Sequence, residues 1–361
     1  MRLNPEKINQ FRKFIKDLDD DSRIAVIYDT DMDGISSGII TIKALKKLKK
    51  NVIYYRTRSP GSRNITKDLL EDFEKTKVSH IIFTDLGIES YDDSDLLNKY
   101  KVMVLDHHPR KDSYNKKILT IKSFDIQNEI SGHKYCAAKL VFDLFSLETN
   151  IEDLDWLALA GVIGDMTYDA NKAWADKILK KYSLDVEENP FDTRIGHLVQ
   201  YTTYAAAIGT QEEFDRLTET FLKTNNYEDL IKQLDYLNPV KEDFERIIKE
   251  FDEKKEYLGK EVFIYEFESE YYLNSPVCSV LSNKYYPDKT IICMQEKNSL
   301  MTISARRQDG KYDLGKMLDE ITRTLKDAFG GGHPVAAGAK IKIIDKEEFK
   351  KKVIDWVKQN G

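Results

Sequence analysis

The sequence predicts an α/β protein: a doubly wound, mainly parallel sheet, then a helical connector and a smaller C-terminal α/β domain. Two observations lead to this prediction. Short apolar segments typical of buried parallel strands alternate with helix-like segments through residues 5–165. Acids or histidines directly follow four of these apolar segments, and open α/β sheets bind their ligands at such strand ends.

The chain length favours more than one domain. With 361 residues, the chain is long for a single hydrophobic core. The change from alternating strands and helices to helices alone, and then back, places the boundaries. We expect a first domain over 1–215, a helical connector over 216–257 and a second, smaller domain over 258–361.

Composition excludes several classes of protein. A net charge of −6 argues against coating duplex nucleic acid by bulk charge, although a local basic groove remains compatible with it. Three distant cysteines, Cys136, Cys278 and Cys293, form neither a disulfide framework nor a zinc knuckle, which is typical of a reducing cytosol. Because we find no apolar signal or membrane-length segment, we expect a cytoplasmic protein with no membrane partner.

The elements of the first half follow from apolar spacing. Apolar side chains at helical spacing predict the first helix, and continuous apolar runs predict the strands. In chain order we expect a helix over 5–20, a strand over 23–28, a helix over 35–49, a strand over 51–56, a helix over 66–75, strands over 80–84, 101–105 and near 118–124, and a helix over 153–162.

The second half changes character twice. Residues 170–257 have periodic apolar positions and charged faces, which predict helices, with 244–257 as a connecting helix. Strand character then returns, and we expect strands over 261–267, 290–294, 300–305 and 339–344.

An acidic loop follows the first predicted strand and contains Asp29, Asp31 and Asp33 before Gly34. Three carboxylates at alternate positions repel one another unless a cation neutralises them, and oxygen ligands suit Mg²⁺, Mn²⁺ or Ca²⁺. An EF-hand is rejected, since its twelfth position, which requires Glu, is Ile40 here. An ordinary acidic loop that caps a helix remains the alternative.

Further polar groups stand at the ends of later apolar segments. Taken singly, they are consistent with helix caps or surface loops. Together with the acidic loop, they predict a two-metal site on one sheet edge, with Mn²⁺ favoured and Mg²⁺ second. Zinc is less favoured because no thiolate takes part. These groups are Asp85, Asp106, His107, His108 and Asp165.

This order of motifs resembles the DHH phosphoesterases over nearly the whole chain. The four motifs are Asp29 to Gly34, Asp85, Asp106-His107-His108 and Gly164-Asp165. The later run Gly330 to Pro334 is similar to the signature of the family's associated substrate-binding domain. Many members begin the first motif with His, and the acid Asp29 at that position resembles the RecJ-like exonucleases.

The resemblance implies a role for each site residue. Asp29, Asp31 and Asp85 would hold one cation, and Asp85 would bridge to a second cation on Asp33, His107 and Asp165. Asp106 would orient His107 through its other ring nitrogen, and His108 would contact the scissile phosphate or protonate the leaving oxygen.

The second domain is expected to grip the substrate. Gly331 and Gly332 would let backbone N–H groups approach a phosphate, with His333 as an additional donor. Arg306 can bind phosphate oxygens bidentately, and Ser304 would face the cleft between the domains. A flexible loop is the alternative for the glycine run.

Two basic segments, Arg307 and the turn 56–63, are expected to be mainly solvated. We expect Arg307 to be solvated, because Arg306 takes the inward side of a period-two strand. For the basic turn 56–63 we favour a solvated loop, with a contact to substrate phosphate as the alternative.

The resemblance implies metal-dependent phosphodiester hydrolysis. The first hypothesis is a RecJ-like exonuclease that releases mononucleotides from single-stranded DNA or RNA oligonucleotides by in-line attack of a metal-bound hydroxide. The second is a phosphoesterase for nanoRNA, cyclic dinucleotides or 3′,5′-bisphosphonucleotides. The third is a non-catalytic partner in a replication complex, and replication or repair proteins are candidate partners in each case. Digestion polarity, DNA against RNA and the oligomeric state stay open.

Overall fold

The computed structural model describes residues 4–62, 65–88, 98–109, 118–127, 130–184 and 189–360. The chain divides into two compact units, Met1–Leu237 and Asn238–Gly361. The predicted helical region is shared between them, because the helices up to Leu237 belong to the first unit and the helix Asn238–Lys254 belongs to the second.

A parallel sheet forms the centre of the first unit. Its strands are arranged in the order β2-β1-β3-β4-β5, and every neighbouring pair is parallel. All residues of the two central strands, β1 and β3, are buried, which explains their continuous apolar sequences. The described strands are β1 (Ile24–Tyr28), β2 (Val52–Thr57), β3 (His80–Thr84), β4 (Lys101–Asp106) and β5 (Leu119–Lys122).

Helices cover both faces of this sheet, so the doubly wound architecture is confirmed. Phe73 and Leu69 of one helix pack on the face formed by Ala25, Ile27 and Ile81. The helix after β1 packs against β1 and against two later helices. The main helices are α1 (Pro5–Lys16), α2 (Met32–Lys47), α3 (Lys67–Lys75), Ala137–Ser146, Asp155–Gly164, Lys172–Lys181, His197–Ile208, Gln211–Lys223 and Tyr227–Gln233, with the single turn Ser123–Ile126 after β5. No helix within the described ranges is long and apolar enough to cross a bilayer.

Helix α2 begins three residues earlier than the sequence predicted. The carboxylate of Asp31 caps the helix by accepting a hydrogen bond from the backbone N–H of Gly34. Asp33 therefore lies in the first turn of α2. A side chain at Gly34 would place Cβ 2.5 Å from the carbonyl oxygen of Asp29, so only glycine fits at this position.

The second unit contains a mixed sheet in the order β10-β11-β9-β8-β7-β6. Its neighbours are antiparallel except for β7 and β8. The strands are β6 (Glu256–Leu258), β7 (Val262–Glu266), β8 (Thr290–Lys297), β9 (Leu300–Arg306), β10 (Phe329–His333) and β11 (Ala336–Lys342), with helices Asn238–Lys254, Asn274–Val280, Leu314–Thr322 and Lys346–Asn360.

The glycine run forms the edge strand β10, so its interpretation as a flexible loop was wrong. Each residue from Phe329 to His333 pairs with β11. A Cβ at Gly330 would lie 2.9 Å from the carbonyl oxygen of Leu318 in the adjacent helix. The glycines therefore let a strand and a helix approach closely.

Arg307 is buried, contrary to the prediction that it is solvated. Strand β9 ends at Arg306, so the period-two alternation no longer determines the direction of the next side chain. The Arg307 side chain is 2 % exposed, and its guanidinium donates to Glu261 at 3.0 Å, to Asp309 at 2.6 Å and to Thr290 at 3.2 Å. These partners satisfy a charge that would otherwise be costly to bury.

Replacing Arg307 is expected to destabilise the second unit. Arg307→Leu leaves Asp309 and Glu261 without their shared partner, and we expect the free energy of unfolding to fall by about 1–3 kcal/mol. Urea unfolding of the full chain measures this. The matched control is Arg323→Leu, which removes an exposed ion pair with Asp319 and should cost less than about 0.5 kcal/mol. Equal effects of the two variants would contradict the structural role of Arg307.

Candidate metal centre

One row of charged residues crosses the carboxyl ends of the five parallel strands. The strand register places Tyr28 beside Thr57 and Thr84, and Thr84 beside Leu105, which pairs with Ile121. The next residue along each strand therefore lies in a common row. In sheet order this row is Arg58, Asp29, Asp85, Asp106 and Lys122, with a cation at each end and three acids between them.

The cations at the two ends of the row neutralise the outer acids. Arg58 donates to the carboxylate of Asp29, and Lys122 donates to that of Asp106. Lys122 and Asp106 are both fully buried and are direct partners in the pairing of β4 with β5. The central acid, Asp85, has no lysine or arginine partner among the described residues, and its neighbours are the rings of His107 at 3.3 Å and His108 at 3.8 Å.

The basic turn after β2 is therefore not a solvated loop. Arg58 is three-quarters buried against Asp29, and Arg56 pairs with Asp68 at 3.2 Å and with Gln211 at 2.8 Å. Arg63 lies outside the described residues. The sequence prediction missed these pairings because the partners Asp29, Asp68 and Gln211 lie 29, 12 and 155 positions away along the chain.

His107 lies at the centre of the remaining acids. Its Nε2 lies 3.3 Å from Asp85 Oδ1 and 3.9 Å from Asp33 Oδ2. Its Nδ1 lies 3.6 Å from Asp165 Oδ2. The structure thus brings together three of the predicted carboxylate ligands around the predicted imidazole ligand.

Asp33 is oriented by the helix Ala137–Ser146. The backbone N–H groups of Ala137 and Ala138 donate to its two carboxylate oxygens at 2.8 and 2.7 Å. These donors and the positive end of the helix dipole favour the charged form. Burial nevertheless dominates, and it raises the pKa of Asp33 above its ordinary value.

Burial and mutual repulsion raise the pKa values of the other acids. For Asp165, burial and the charges of Asp33 and Asp31 raise the pKa to about 8. For Asp31, desolvation and the charges of Asp29 and Asp33 raise the pKa to about 6. Burial and four neighbouring acids raise the pKa of Asp85 well above its usual range.

A divalent cation fits this cluster. Asp85 Oδ1, His107 Nδ1 and Asp165 Oδ2 are buried atoms with no hydrogen-bond partner in the described part of the chain. Buried polar atoms are normally satisfied, so three such atoms in one cluster indicate an ion or water. Carboxylate oxygens with one imidazole nitrogen are a suitable donor set for Mn²⁺ or Mg²⁺.

Asp106 orients His108, whereas we had expected it to orient His107. His108 Nδ1 lies 2.8 Å from Asp106 Oδ1, and the backbone N–H of His108 also donates to this oxygen. Side chains two residues apart on an extended chain point the same way, which explains the pairing. Burial alone would raise the pKa of Asp106, but the hydrogen bond from His108 and the charge of Lys122 together hold it below its ordinary value.

Cys136 is a site residue that the sequence analysis missed. Its thiol lies within 4.8 Å of ligand atoms of Asp33 and Asp165. A sulfur atom therefore lies beside two of the predicted ligands, while the expectation that no thiolate takes part stays a prediction. Burial and these two acids raise the pKa of the Cys136 thiol, so the neutral form is favoured. No spacing motif links Cys136 to the acids, and only the packing of its helix on α2 brings it there.

The predicted substrate-binding residues lie on the sheet of the second unit. The register places Gly331, Gly338 and Ser304 in one row, and His333, Ala336 and Arg306 in a row two residues further along. Because alternate residues share a face, Ser304, Arg306, Gly331 and His333 lie on one face and Gly332 on the other.

Arg306 is partly committed within the protein. Its Nη2 donates to Ser275 Oγ at 3.0 Å, and its Nη1 donates to the carbonyl oxygen of Ala305 at 3.0 Å.

Comparison with known families matches both units. Residues 23–163 match the DHH family, N-terminal domain, and residues 273–359 match the DHHA1 domain. Together these two matches span well over half of the chain. They fall in the first and the second unit, respectively.

Two curated proteins are similar over part of the chain. An uncharacterized protein of Methanocaldococcus jannaschii, MJ0831, is 28% identical over 215 residues, which are 55% of this chain and 48% of that protein. The single-strand DNA-specific exonuclease YorK of the Bacillus subtilis SPbeta prophage, a provisional name, is 29% identical over 113 residues, which are 29% of this chain and 19% of that protein. The chain thus spans about half or less of each relative.

A solved structure has the same fold. RecJ from Thermus thermophilus in complex with Mn²⁺ superposes with a TM-score of 0.70 over 99% of this chain and 55% of that chain, at 16% identity. This match confirms the predicted fold class.

Without a cation, the first unit is expected to lose stability as the pH rises. Asp165 has a pKa of about 8 when folded and 3.8 ordinarily, so the folded state holds more protons between these values and its stability falls across that window. We expect the Tm of EDTA-treated protein to drop by several degrees from pH 5 to pH 8.5, since about 1 kcal/mol corresponds to about 2–4 °C at this size.

Adding Mn²⁺ should raise the Tm more at pH 8.5 than at pH 5, because protons compete with the metal. The matched control is Asp165→Asn, which keeps the shape, removes the charge and should flatten the dependence on pH. A Tm gain from Mn²⁺ that is equal at both pH values would refute this interpretation.

Breaking the buried pair of Lys122 and Asp106 is expected to be costly. Lys122→Met removes the lysine charge from the buried Asp106 carboxylate, which keeps its contacts with His108, and we expect a loss of about 3 kcal/mol in the free energy of unfolding. Adding Asp106→Asn should recover part of this loss, which a double-mutant cycle in urea measures. Lys172→Met, which removes an exposed pair with Asp176, is the control and should change stability by less than about 0.5 kcal/mol. Additive effects of the two substitutions would argue against the pair.

Proposed function

Because the chain belongs to the DHH family and carries a DHHA1 domain, we propose that it hydrolyses phosphodiester bonds of single-stranded nucleic acid in the manner of a RecJ-like exonuclease. The observation that carries the proposal is the convergence of Asp33, Asp85 and Asp165 on His107, with three buried ligand atoms that lack hydrogen-bond partners within the described ranges.

Charge matching supports two divalent cations. Of the six acids predicted at the site, Asp29 and Asp106 are neutralised by Arg58 and Lys122. The four that remain, Asp31, Asp33, Asp85 and Asp165, carry four negative charges, which two divalent cations balance. We propose Mn²⁺ first and Mg²⁺ second, since nitrogen and oxygen ligands are mixed. Bound cations would neutralise the phosphate and make a water acidic enough to attack it near neutral pH.

The pairing of Asp29 with Arg58 modifies the ligand set that the family resemblance implied. Arg58 binds Asp29 Oδ1, which leaves only Asp29 Oδ2 for a cation. We therefore assign the two cations first to Asp31, Asp33, Asp85, His107 and Asp165, and we assign Asp29 mainly to holding Arg58 in place. From this position the Arg58 guanidinium can approach a substrate phosphate.

His108 is proposed as the proton donor for the leaving oxygen. Its side chain is 52% exposed, and Asp106 holds its Nδ1, so Nε2 faces away from Asp106. The hydrogen bond from His108 to Asp106 raises the pKa of the imidazole, which favours the protonated donor. When water attacks the phosphorus and the bond to the leaving nucleotide oxygen breaks, the proton on Nε2 passes to that oxygen.

The substrate assignment rests on the relatives and on the second unit. YorK is named as a single-strand DNA-specific exonuclease, and Thermus RecJ was crystallised with Mn²⁺. Arg306 and His333 share one face of the sheet in the second unit, and their N–H groups are suitable donors to phosphate oxygens. We propose single-stranded DNA or RNA as the substrate, with release of mononucleotides.

Digestion of end-labelled strands tests the proposal. We expect the wild-type chain to shorten single-stranded DNA or RNA with Mn²⁺ and not with EDTA, and the choice of labelled end gives the polarity. Asp85→Asn should reduce hydrolysis to background. His108→Ala should lower kcat by about 10²–10⁴-fold while leaving the Mn²⁺ stoichiometry in calorimetry unchanged.

Asp169→Asn is the matched control, because Asp169 is an exposed acid of the same unit and should keep full activity. Cleavage confined to dinucleotides or cyclic dinucleotides would replace the exonuclease with a small-nucleotide phosphoesterase. Absence of hydrolysis of every substrate with Mn²⁺ would favour a non-catalytic role.

A further inference from the structure

We propose that the open end of the sheet in the second unit binds an unpaired nucleobase, with Phe329 as the stacking residue. We call this surface, formed by Phe329, Gly331, Gly338 and Lys340, the β10–β11 floor. The inference rests on the proposed function, because it takes single-stranded nucleic acid as the ligand.

The register places Phe329 on the same face as the predicted phosphate-binding residues. Phe329 pairs with Lys340, and His333 pairs with Ala336 four residues further along. Ala336 in turn pairs with Arg306 of β9. Since side chains alternate between faces, Phe329, His333 and Arg306 share one face of the sheet.

The centre of the floor has no side chains. A Cβ built at Gly331 meets no atom within 4 Å, and at Gly338 it meets only the carbonyl oxygen of Ile303, at 3.4 Å. The helix Leu314–Thr322 packs on the opposite face, against Gly330. The helix Asn274–Val280 covers β8 and β9. The floor is therefore a flat backbone surface that a planar ring can approach.

Phe329 borders this flat surface and takes no part in the core. Its side chain is 62% exposed, and it is absent from the hydrophobic cluster that stabilises the unit. The Lys340 ammonium lies 5.8 Å from the centre of its ring. An exposed aromatic ring beside a cation is the arrangement with which single-strand binding proteins stack a base and attract its phosphate.

The charge of this face matches a phosphodiester backbone. The positions that share it on β8 to β11 include no carboxylate, and four of them are cationic. Lys342 is paired with Asp327, and Lys297 donates to backbone carbonyl oxygens, so Lys340 is the cation that borders Phe329. An acidic partner without bases has no flat ring to stack on Phe329. A neutral apolar partner has no anionic backbone to pair with the cations of this face. In order across the sheet, these positions are Ile291, Cys293, Gln295, Lys297, Leu300, Thr302, Ser304, Arg306, Ala336, Gly338, Lys340, Lys342, Phe329, Gly331 and His333.

Binding of short fluorescent single strands to the full chain in EDTA tests the inference without hydrolysis. Phe329→Ala should weaken binding about tenfold or more, since base stacking contributes about 1–3 kcal/mol per base. Phe329→Trp should retain the affinity. Phe329→Leu should bind as weakly as Phe329→Ala, because it keeps the apolar volume but not the ring. All three should keep the wild-type Tm, since the side chain is exposed.

Strands with one abasic position identify the base directly. For the wild type, replacing one base by an abasic position should weaken binding as much as Phe329→Ala does. The Phe329→Ala variant should bind the abasic strand and the intact strand with equal affinity. Wild-type affinity in Phe329→Ala or Phe329→Leu, or failure of the wild type to bind single strands, would overturn the inference.

The two proposals fail separately. Binding that depends on Phe329 with no Mn²⁺-dependent hydrolysis would remove the proposed function and keep the base site. If Phe329→Ala leaves both strand binding and the kcat/KM of Mn²⁺-dependent hydrolysis unchanged, the base site is removed and the proposed function is kept.

Discussion

Electrostatic repulsion among acids at one sheet edge is the constraint on which the first unit depends. Five parallel strands end in one row, and the row has Arg58 and Lys122 at its ends with three acids between them. The end cations neutralise the outer acids, so Asp85 is the acid of this row that a bound metal cation would neutralise. The raised pKa values of Asp85 and Asp165 reflect burial and the remaining repulsion.

The same arrangement gives the two histidines of the third motif different neighbours. His107 points inward to the acids that lack partners among the described residues, while His108 is held outward by Asp106. Because Lys122 holds Asp106 in its charged form, Asp106 serves as an acceptor for His108. In the proposed function, this buried ion pair separates the residues assigned to the cations from the histidine assigned to the leaving oxygen.

Local sequence determined much of the fold and of the candidate site. Strands over 80–84 and 101–105 could be predicted because strands buried on both faces are continuously apolar. The gathering of Asp29, Asp85 and Asp106 could be predicted because neighbouring parallel strands end at a common edge. The burial of Arg307 could not, because its partners Glu261 and Asp309 lie beyond the strand whose period was used.

By itself, the sequence determined the order of strands and helices, the acidic motifs and the likeness to the DHH family, because apolar periodicity and motif spacing are local properties. Only the tertiary structure decided that Arg58 pairs with Asp29, that Lys122 pairs with Asp106 and that Cys136 lies beside Asp33. The two ion pairs join residues 29 and 16 positions apart on different strands, and the thiol comes from a separate helix. These contacts therefore depend on strand register and helix packing, which local patterns do not specify.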